Sequence, residues 1–169
     1  AEELVARLKA MGLRAQGDFS DNSPGWKFAE YEMKGVPLRI EIGPKDLEQG
    51  HCVAVRRDSG EKTVIDLADL EAKVPELLDA VHQGLYEKAA KNIADHTYAA
   101  YSLEEAKRLQ EEKGGFIKTM WCGNLQCELD MKEQAGMTSR CIPFQQEHLS
   151  DVCPICGQKA EKMVYWGVA

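Results

Sequence analysis

Two pairs of cysteines near the C-terminal end carry the clearest chemical pattern in the chain. Cys122 and Cys127 are separated by four residues, and Cys153 and Cys156 by two. Each pair can supply one edge of a tetrahedron of thiolates, the arrangement that Zn²⁺ prefers in structural sites. Because four protein ligands leave no position open for water or substrate, the pattern predicts a structural zinc site and not a catalytic one.

Two other interpretations of these cysteines stay open. All four could be reduced and buried, or Cys153 and Cys156 could form a redox C-x-x-C pair, as in thioredoxin-like proteins. The redox pair would need a βαβ arrangement after the motif, for which residues 157–169 leave little room. Cys141 and His148 lie between the two pairs and are reserve ligands.

A second polar pattern occupies residues 26–46, where aromatic, basic and acidic side chains alternate. Phe28 or Trp26 could stack on an unpaired base, Arg39 could donate two hydrogen bonds to a guanine edge, and Glu32 could accept from guanine N1 and N2. Four further cations could meet phosphates: Lys27, Lys45, Arg56 and Arg57. Since a solvated strand face has the same composition, this pattern alone indicates no function.

Composition narrows the class of protein. The 169 residues are 44% hydrophobic, enough for one ordinary core or two small ones. The net charge of −7 argues against a protein that coats nucleic acid by charge alone. No apolar run approaches the roughly 20 residues that span a bilayer, and the N-terminus has an amphipathic helical pattern and not that of a signal peptide. We therefore expect a soluble cytoplasmic protein without membrane contact, whose six cysteines are reduced or metal-bound.

The first part of the chain is predicted to be a small sheet with helices. Residues 37–42 alternate strictly, which places Leu38 and Ile40 on one face of a strand and Arg39 and Glu41 on the other. The remaining predictions are helices at 2–11, 27–33 and 67–95, turns or loops at 18–26 and 43–51, and strands at 52–58 and 62–66. Along the last helix, an apolar stripe is formed by Leu77, Leu78, Val81, Leu85, Ala89 and Ile93.

The second part carries the cysteines. Ser102 and Glu105 form a capping-box signature for a helix that Gly114 ends. A strand at 116–121 leads into the first cysteine pair, helix signals weaken after it, and a last strand is predicted at 162–168. Cysteine pairs beside strands resemble a zinc ribbon. We place the boundary between the parts near residues 95–102.

Five motifs, in this order, resemble a known family: SPGWKFAEYEMKGVPLRIEIGPKDL, CVAVRRDSGEK, WCGNLQCE, CPICG and KMVYWG. They look like the C-terminal half of prolyl-tRNA synthetases of the type with a C-terminal zinc-binding extension, common in archaea and eukaryotes. The resemblance covers essentially the whole chain.

The resemblance implies an α/β (α+β) fold in two domains. Residues 1–95 would be a class II anticodon-binding domain, with a mixed sheet flanked by helices, and residues 96–169 a small zinc-ribbon-like α+β domain. In the family the first domain reads the two guanines of proline anticodons, and the zinc ligands fall on the same four cysteines. The implied anticodon contacts are Phe28, Glu32, Arg39, Lys45 and Asp46.

The resemblance also implies what the whole enzyme does. Such an enzyme ligates proline to its tRNA with ATP and Mg²⁺, in the cytoplasm and as a homodimer. The partners of this chain would be proline tRNA and the catalytic domain. The family's anticodon domain begins with a strand that would precede Ala1, and no motif of the class II catalytic core is present. We therefore predict no catalytic residue here and no activation of proline by this chain alone.

Two functions from other classes are the alternatives. One is a free-standing, zinc-stabilised module that binds a protein and not tRNA. The other is a thiol oxidoreductase that uses Cys153 and Cys156, whose thiols would react readily in the absence of metal.

Overall fold

The computed structural model describes residues 1–168, which form two compact units: residues 1–88, and the residues from 89 onward. The boundary between residues 95 and 96 stays a prediction. Within the described residues, no helix is both long and apolar enough to cross a membrane.

The first unit holds a three-stranded antiparallel sheet with strand order β1-β2-β3. Helix α4 begins in this unit and crosses its boundary. The elements in chain order are α1 (Glu2–Ala10), α2 (Pro24–Met33), β1 (Leu38–Glu41), α3 (Pro44–Glu48), β2 (His51–Arg56), β3 (Lys62–Asp66) and α4 (Leu70–Asp95).

One face of this sheet carries the core of the first unit. Leu38 and Ile40 of β1 pack against a buried cluster that includes Leu4 and Leu8 of α1 and Leu70 of α4. Since side chains alternate along a strand, the residues between them point to the opposite face. The predicted alternation in residues 37–42 is thus confirmed, and so is the helix at residues 27–33, which starts three residues earlier.

Two predictions for the first unit need correction. The segment expected to be a loop contains the short helix α3, because Pro44 occupies its first turn and Asp46 accepts a hydrogen bond from the Gly43 N–H (2.8 Å). The apolar stripe of α4 is only partly buried. Val81 is 2% exposed, whereas Leu85 and Ile93 are 40% and 54% exposed.

The second unit is built on a four-stranded sheet with strand order β4-β5-β7-β6. β4 and β5 are parallel, and the other pairs are antiparallel. Trp166 is fully buried, and its indole N–H donates to Thr119 Oγ1 (2.9 Å). The elements are β4 (Thr97–Ala99), α5 (Leu103–Lys113), β5 (Phe116–Trp121), α6 (Leu125–Ala135), β6 (Thr138–Cys141) and β7 (Lys162–Gly167).

The start of α5 confirms the predicted cap in a modified form. Ser102 Oγ accepts from the Glu105 N–H (3.1 Å). The Glu105 carboxylate, however, accepts from the Tyr101 N–H (2.8 Å) and not from that of Ser102. The strand at 116–121 is confirmed. The elements β4, α6 and β6 were not predicted.

Candidate functional site

The structure brings the four predicted cysteines together. Their sulfur atoms all lie within 4.8 Å of one another. The Cys122 sulfur lies 3.6 Å from those of both Cys127 and Cys156. Tetrahedral zinc with Zn–S bonds of about 2.3 Å needs sulfurs about 3.8 Å apart, whereas a disulfide needs about 2 Å. The cluster could therefore hold a metal ion.

The first pair lies where a strand gives way to a helix. Cys122 directly follows β5, and Cys127 lies in the first turns of α6. Asn124 caps that helix by accepting from the Gln126 N–H (2.9 Å). Because the N-terminal end of a helix carries partial positive charge, it offsets part of the penalty that burial imposes on a thiolate at Cys127. The flanking strands suggested a zinc ribbon. In the structure, one of the four cysteines, Cys127, instead lies in a helix.

The second pair lies in a tight turn. The N–H of Gly157 donates to the carbonyl of Cys153, and the N–H of Cys153 donates to the carbonyl of Gln158, both at 2.8 Å. Gly157 has φ +71°, a backbone conformation that side chains rarely adopt. The turn thus folds Cys153 and Cys156 toward the same point.

The environments of the four thiols differ. Cys127 and Cys153 are 3% and 1% exposed and belong to a small core with Met120 and Met163, whereas Cys156 is exposed. Burial raises the pKa of Cys127. A hydrogen bond from the backbone at Gln158 lowers the pKa of Cys156. The four thiols therefore lie at the edge of a core, with one side facing solvent.

The other cysteines stand apart from this cluster. Cys52 is fully buried in the first unit, as expected of a core residue. Cys141 is exposed, and neither it nor His148 is in the group of close ligands. His148 instead lies 3.2 Å from the carboxylate of Asp151. The reserve ligands are thus not brought to the site.

The second candidate site is centred on the guanidinium group of Arg39. Its Nη1 donates to Glu32 (2.7 Å) and its Nε donates to Glu41 (2.9 Å). The guanidinium carbon lies 3.9 Å from the centre of the Phe28 ring, a cation–π contact. Arg39 therefore contacts two of the other four residues predicted from the family resemblance, Glu32 and Phe28.

The other two predicted residues are on α3. Asp46 is occupied within the protein, because one carboxylate oxygen accepts from the Gly43 N–H and the other lies 3.1 Å from His51 Nε2. Lys45 is exposed and makes no ion pair within residues 1–168. Asp46 is thus held in place, while Lys45 is open to a ligand.

Two of the cations suggested for phosphate contact have structural partners. Lys27 Nζ donates to the backbone carbonyls of Asp18 and Ser20, at 3.2 and 2.7 Å. Arg56 donates to Asp58 (2.6 Å) and to the carbonyl of Ala80 (3.1 Å). These contacts hold the first unit together, so neither side chain is free for phosphate.

A cavity of about 600 Å³ lies beside the Arg39 cluster, inside the first unit. Its lining includes Phe28, Arg39, Glu41 and Asp46. Glu32 and Lys45 are not among the lining residues. Most of the lining is apolar and includes Leu4 and Leu8 of α1 and Leu38 and Ile40 of β1, so the cavity reaches the core of the first unit beside the edge strand β1.

Sequence reasoning did not select Glu41. The residue was recognised only as one polar position of an alternating strand. Its spacing of two from Arg39 was the available signal, because residues i and i+2 of a strand share a face.

Two family models match the chain. The family described as "Anticodon binding domain" matches residues 1–77, and the one described as "Prolyl-tRNA synthetase, C-terminal" matches residues 103–169. The first matched region contains the Arg39 cluster, and the second contains all four clustered cysteines.

Curated relatives match the chain over all 169 residues. It is 52% identical to the "Proline--tRNA ligase" of Clostridium novyi (strain NT), and 53% identical to that of Clostridium botulinum (strain 657 / Type Ba4). It is 49% identical to the "Proline--tRNA ligase 2" of Bacillus thuringiensis (strain Al Hakam). The chain spans 35% of the length of each of these relatives. It therefore belongs to the prolyl-tRNA synthetase family, with an anticodon-binding domain followed by that family's C-terminal domain.

Proposed function

We propose that the intact protein is a cytoplasmic proline–tRNA ligase, and that this chain supplies its anticodon recognition and a metal-held support domain. The relatives carry the name of that activity. The ligase would join proline to its tRNA in translation, using ATP and Mg²⁺ bound by the catalytic domain. A homodimer is the assembly that we propose for the intact enzyme.

The observation that carries anticodon recognition is the cluster of Arg39, Glu32 and Phe28. Guanine offers acceptors at O6 and N7 and donors at N1 and N2. An arginine fork matches the acceptors and a glutamate matches the donors. Arg39 and Glu32 therefore read an anticodon guanine. The Phe28 ring packs against the guanidinium of Arg39. Lys45 and Asp46 are the next candidates for contacts with the anticodon guanines.

The metal of the cysteine cluster is zinc in this proposal. Four thiolates in a tetrahedral arrangement are the donor set that zinc prefers in structural sites. The ligands come from two segments that are far apart in sequence, so the ion ties α6 to the turn at 153–157. It has no catalytic role, because a four-cysteine site has no open position.

We further propose that the domain boundary lies between residues 95 and 96. Residues 1–95 then recognise tRNA, residues 96–169 support the enzyme, and neither part activates proline alone. Pyrophosphate exchange tests this last point: the 169-residue chain should show none with ATP and proline, while the intact protein should.

Chemical protection of the tRNA tests the role of Arg39. The intact protein should protect the anticodon guanines from modification at N7 and at the Watson–Crick edge. Arg39→Lys keeps the charge but loses the planar fork, so protection at N7 should be lost while contacts elsewhere on the tRNA persist. Unchanged protection with this variant would contradict the proposed contact.

A further inference from the structure

The side chain of Glu41 contacts the base-reading arginine but has no assigned role. We propose that Glu41 is a positioning residue: it holds Arg39 by Nε, so that the two terminal nitrogens of the guanidinium face the guanine. This inference rests on the proposed anticodon recognition and deepens it.

The contacts around Arg39 use its donors unequally. Nε donates to Glu41 (2.9 Å) and Nη1 to Glu32 (2.7 Å), while Nη2 has no hydrogen-bond partner within residues 1–168. The guanidinium group is a rigid planar fork. Glu41 at one edge and the Phe28 ring beneath the plane therefore fix the direction in which Nη1 and Nη2 point.

The two carboxylates that contact Arg39 differ in solvent exposure. The Glu41 side chain is 22% exposed and Arg39 is 18% exposed, whereas Glu32 is 54% exposed. Glu41 and Arg39 lie on the same face of β1 two residues apart, so the strand itself keeps them adjacent. Glu32 reaches the arginine from α2, and exposed ion pairs of this kind open at little cost.

This difference predicts how the cluster rearranges around a base. Glu32 leaves Nη1 and accepts from guanine N1 and N2, while Glu41 keeps Nε. Nη1 and Nη2 are then both free to donate to O6 and N7 in the bidentate arrangement typical of guanine recognition. Lys62 Nζ, 3.8 Å from the second Glu41 oxygen, stabilises the carboxylate that must stay.

The test measures discrimination and not affinity alone. Dissociation constants of the intact protein are measured for two transcripts of proline tRNA, one unchanged and one with both anticodon guanines replaced by adenine. Discrimination is the dissociation constant for the replaced transcript divided by that for the unchanged one. This ratio is compared among the wild type, Glu41→Ala, Glu41→Gln, Arg39→Ala and the Glu41→Ala/Arg39→Ala double variant. Asp79→Asn is the matched control, because it removes one negative charge at an exposed position of α4.

Glu41→Ala should lower the ratio at least about fivefold, by weakening the unchanged transcript only. Glu41→Gln should give an intermediate loss, since its amide oxygen accepts from Nε without the charge. The control should keep the wild-type ratio. The double variant should match Arg39→Ala alone, because Glu41 acts through Arg39.

Three results would overturn the proposal. Glu41 has no positioning role if its variants keep the wild-type ratio, or weaken both transcripts equally, while Arg39→Ala lowers the ratio. If Arg39→Ala also leaves the ratio unchanged, anticodon reading by Arg39 fails, and this inference fails with it. Thermal unfolding of each variant checks the fold, and where Glu41→Ala does not fold, the ratio for Glu41→Gln decides.

Discussion

The guanidinium of Arg39 lies between two carboxylates, and with Lys62 beside Glu41 these four groups have no net formal charge. The charge of Arg39 is therefore already balanced within the protein and offers little attraction to a phosphate. A guanine edge presents acceptors beside donors and can satisfy the cation and a carboxylate together. At the scale of residues, the cluster therefore suits a base better than a backbone phosphate.

Only part of this cluster could be predicted from the residues. Strand alternation placed Arg39 on the polar face of β1, as the structure confirms. The contacts of Arg39 with Phe28 and Glu32 could not be derived, because they depend on how α2 approaches β1. The family resemblance had grouped them, whereas Glu41 was found only from its distance to Nε.

Removal of one buried ligand should empty the metal site. Cys153→Ser should lower zinc content from about one ion per chain to well below half, because serine is a poor zinc ligand and this turn supplies two of four donors. Cys141→Ser is the matched control, since Cys141 is an exposed cysteine of the same unit outside the cluster. Metal analysis of the purified variants gives the measurement. Equal zinc loss in both variants would contradict the assigned ligands.

At the scale of elements, the connection from α5 to β5 depends on one glycine. Gly115 has φ +83°, and a Cβ atom there would collide with the carbonyl oxygen of His96. That carbonyl accepts a hydrogen bond from the Phe116 N–H (2.8 Å) at the start of the β4–β5 pair. The backbone approach at this point therefore excludes a side chain.

Gly115→Ala should accordingly lower the free energy of unfolding of the second unit by more than the usual cost of placing alanine at a positive φ angle. Gly136→Ala is the control, because Gly136 also has positive φ (+68°) but has open space around it. The control should cost about 1–2 kcal/mol, and Gly115→Ala clearly more. Urea unfolding of the two variants compares them. Equal costs would mean that the backbone at His96 can move aside.

The elements that sequence reasoning found have strong local signals. Alternation marked β1, and a serine cap and a glycine marked the two ends of α5. Helix α6 was missed because its buried residues, Cys127 and Met131, are few, and its larger apolar residues Leu125 and Leu129 are exposed. The strands β4 and β6 are three and four residues long, so they depend on pairing with neighbours more than on their own pattern.

At the scale of the whole molecule, each unit has its own core, and the proposed metal site belongs to the second. Removal of the metal by a chelator should therefore destabilise the second unit and leave the first unit largely unchanged. Hydrogen exchange should accelerate in peptides that cover α6 and residues 153–164, and change little in peptides from β2 and β3. Uniform acceleration across both units would show that the metal supports the entire chain.

The negative charge of the molecule bears on the proposed binding of tRNA. With a net charge of −7, the chain cannot hold tRNA by phosphate attraction alone. In the proposed function, base contacts of this chain therefore carry specificity, and we expect phosphate contacts mainly from the rest of the enzyme. This division is the central claim of the proposed function.

Binding of the intact protein to proline tRNA, at one stated salt concentration, tests that claim most directly. Transcripts with each anticodon guanine replaced singly, and with both replaced, are compared with the unchanged tRNA. Each replacement should weaken binding by about 1–3 kcal/mol. Equal affinity for all four transcripts would contradict anticodon reading by this domain and leave the chain a metal-held support for the enzyme.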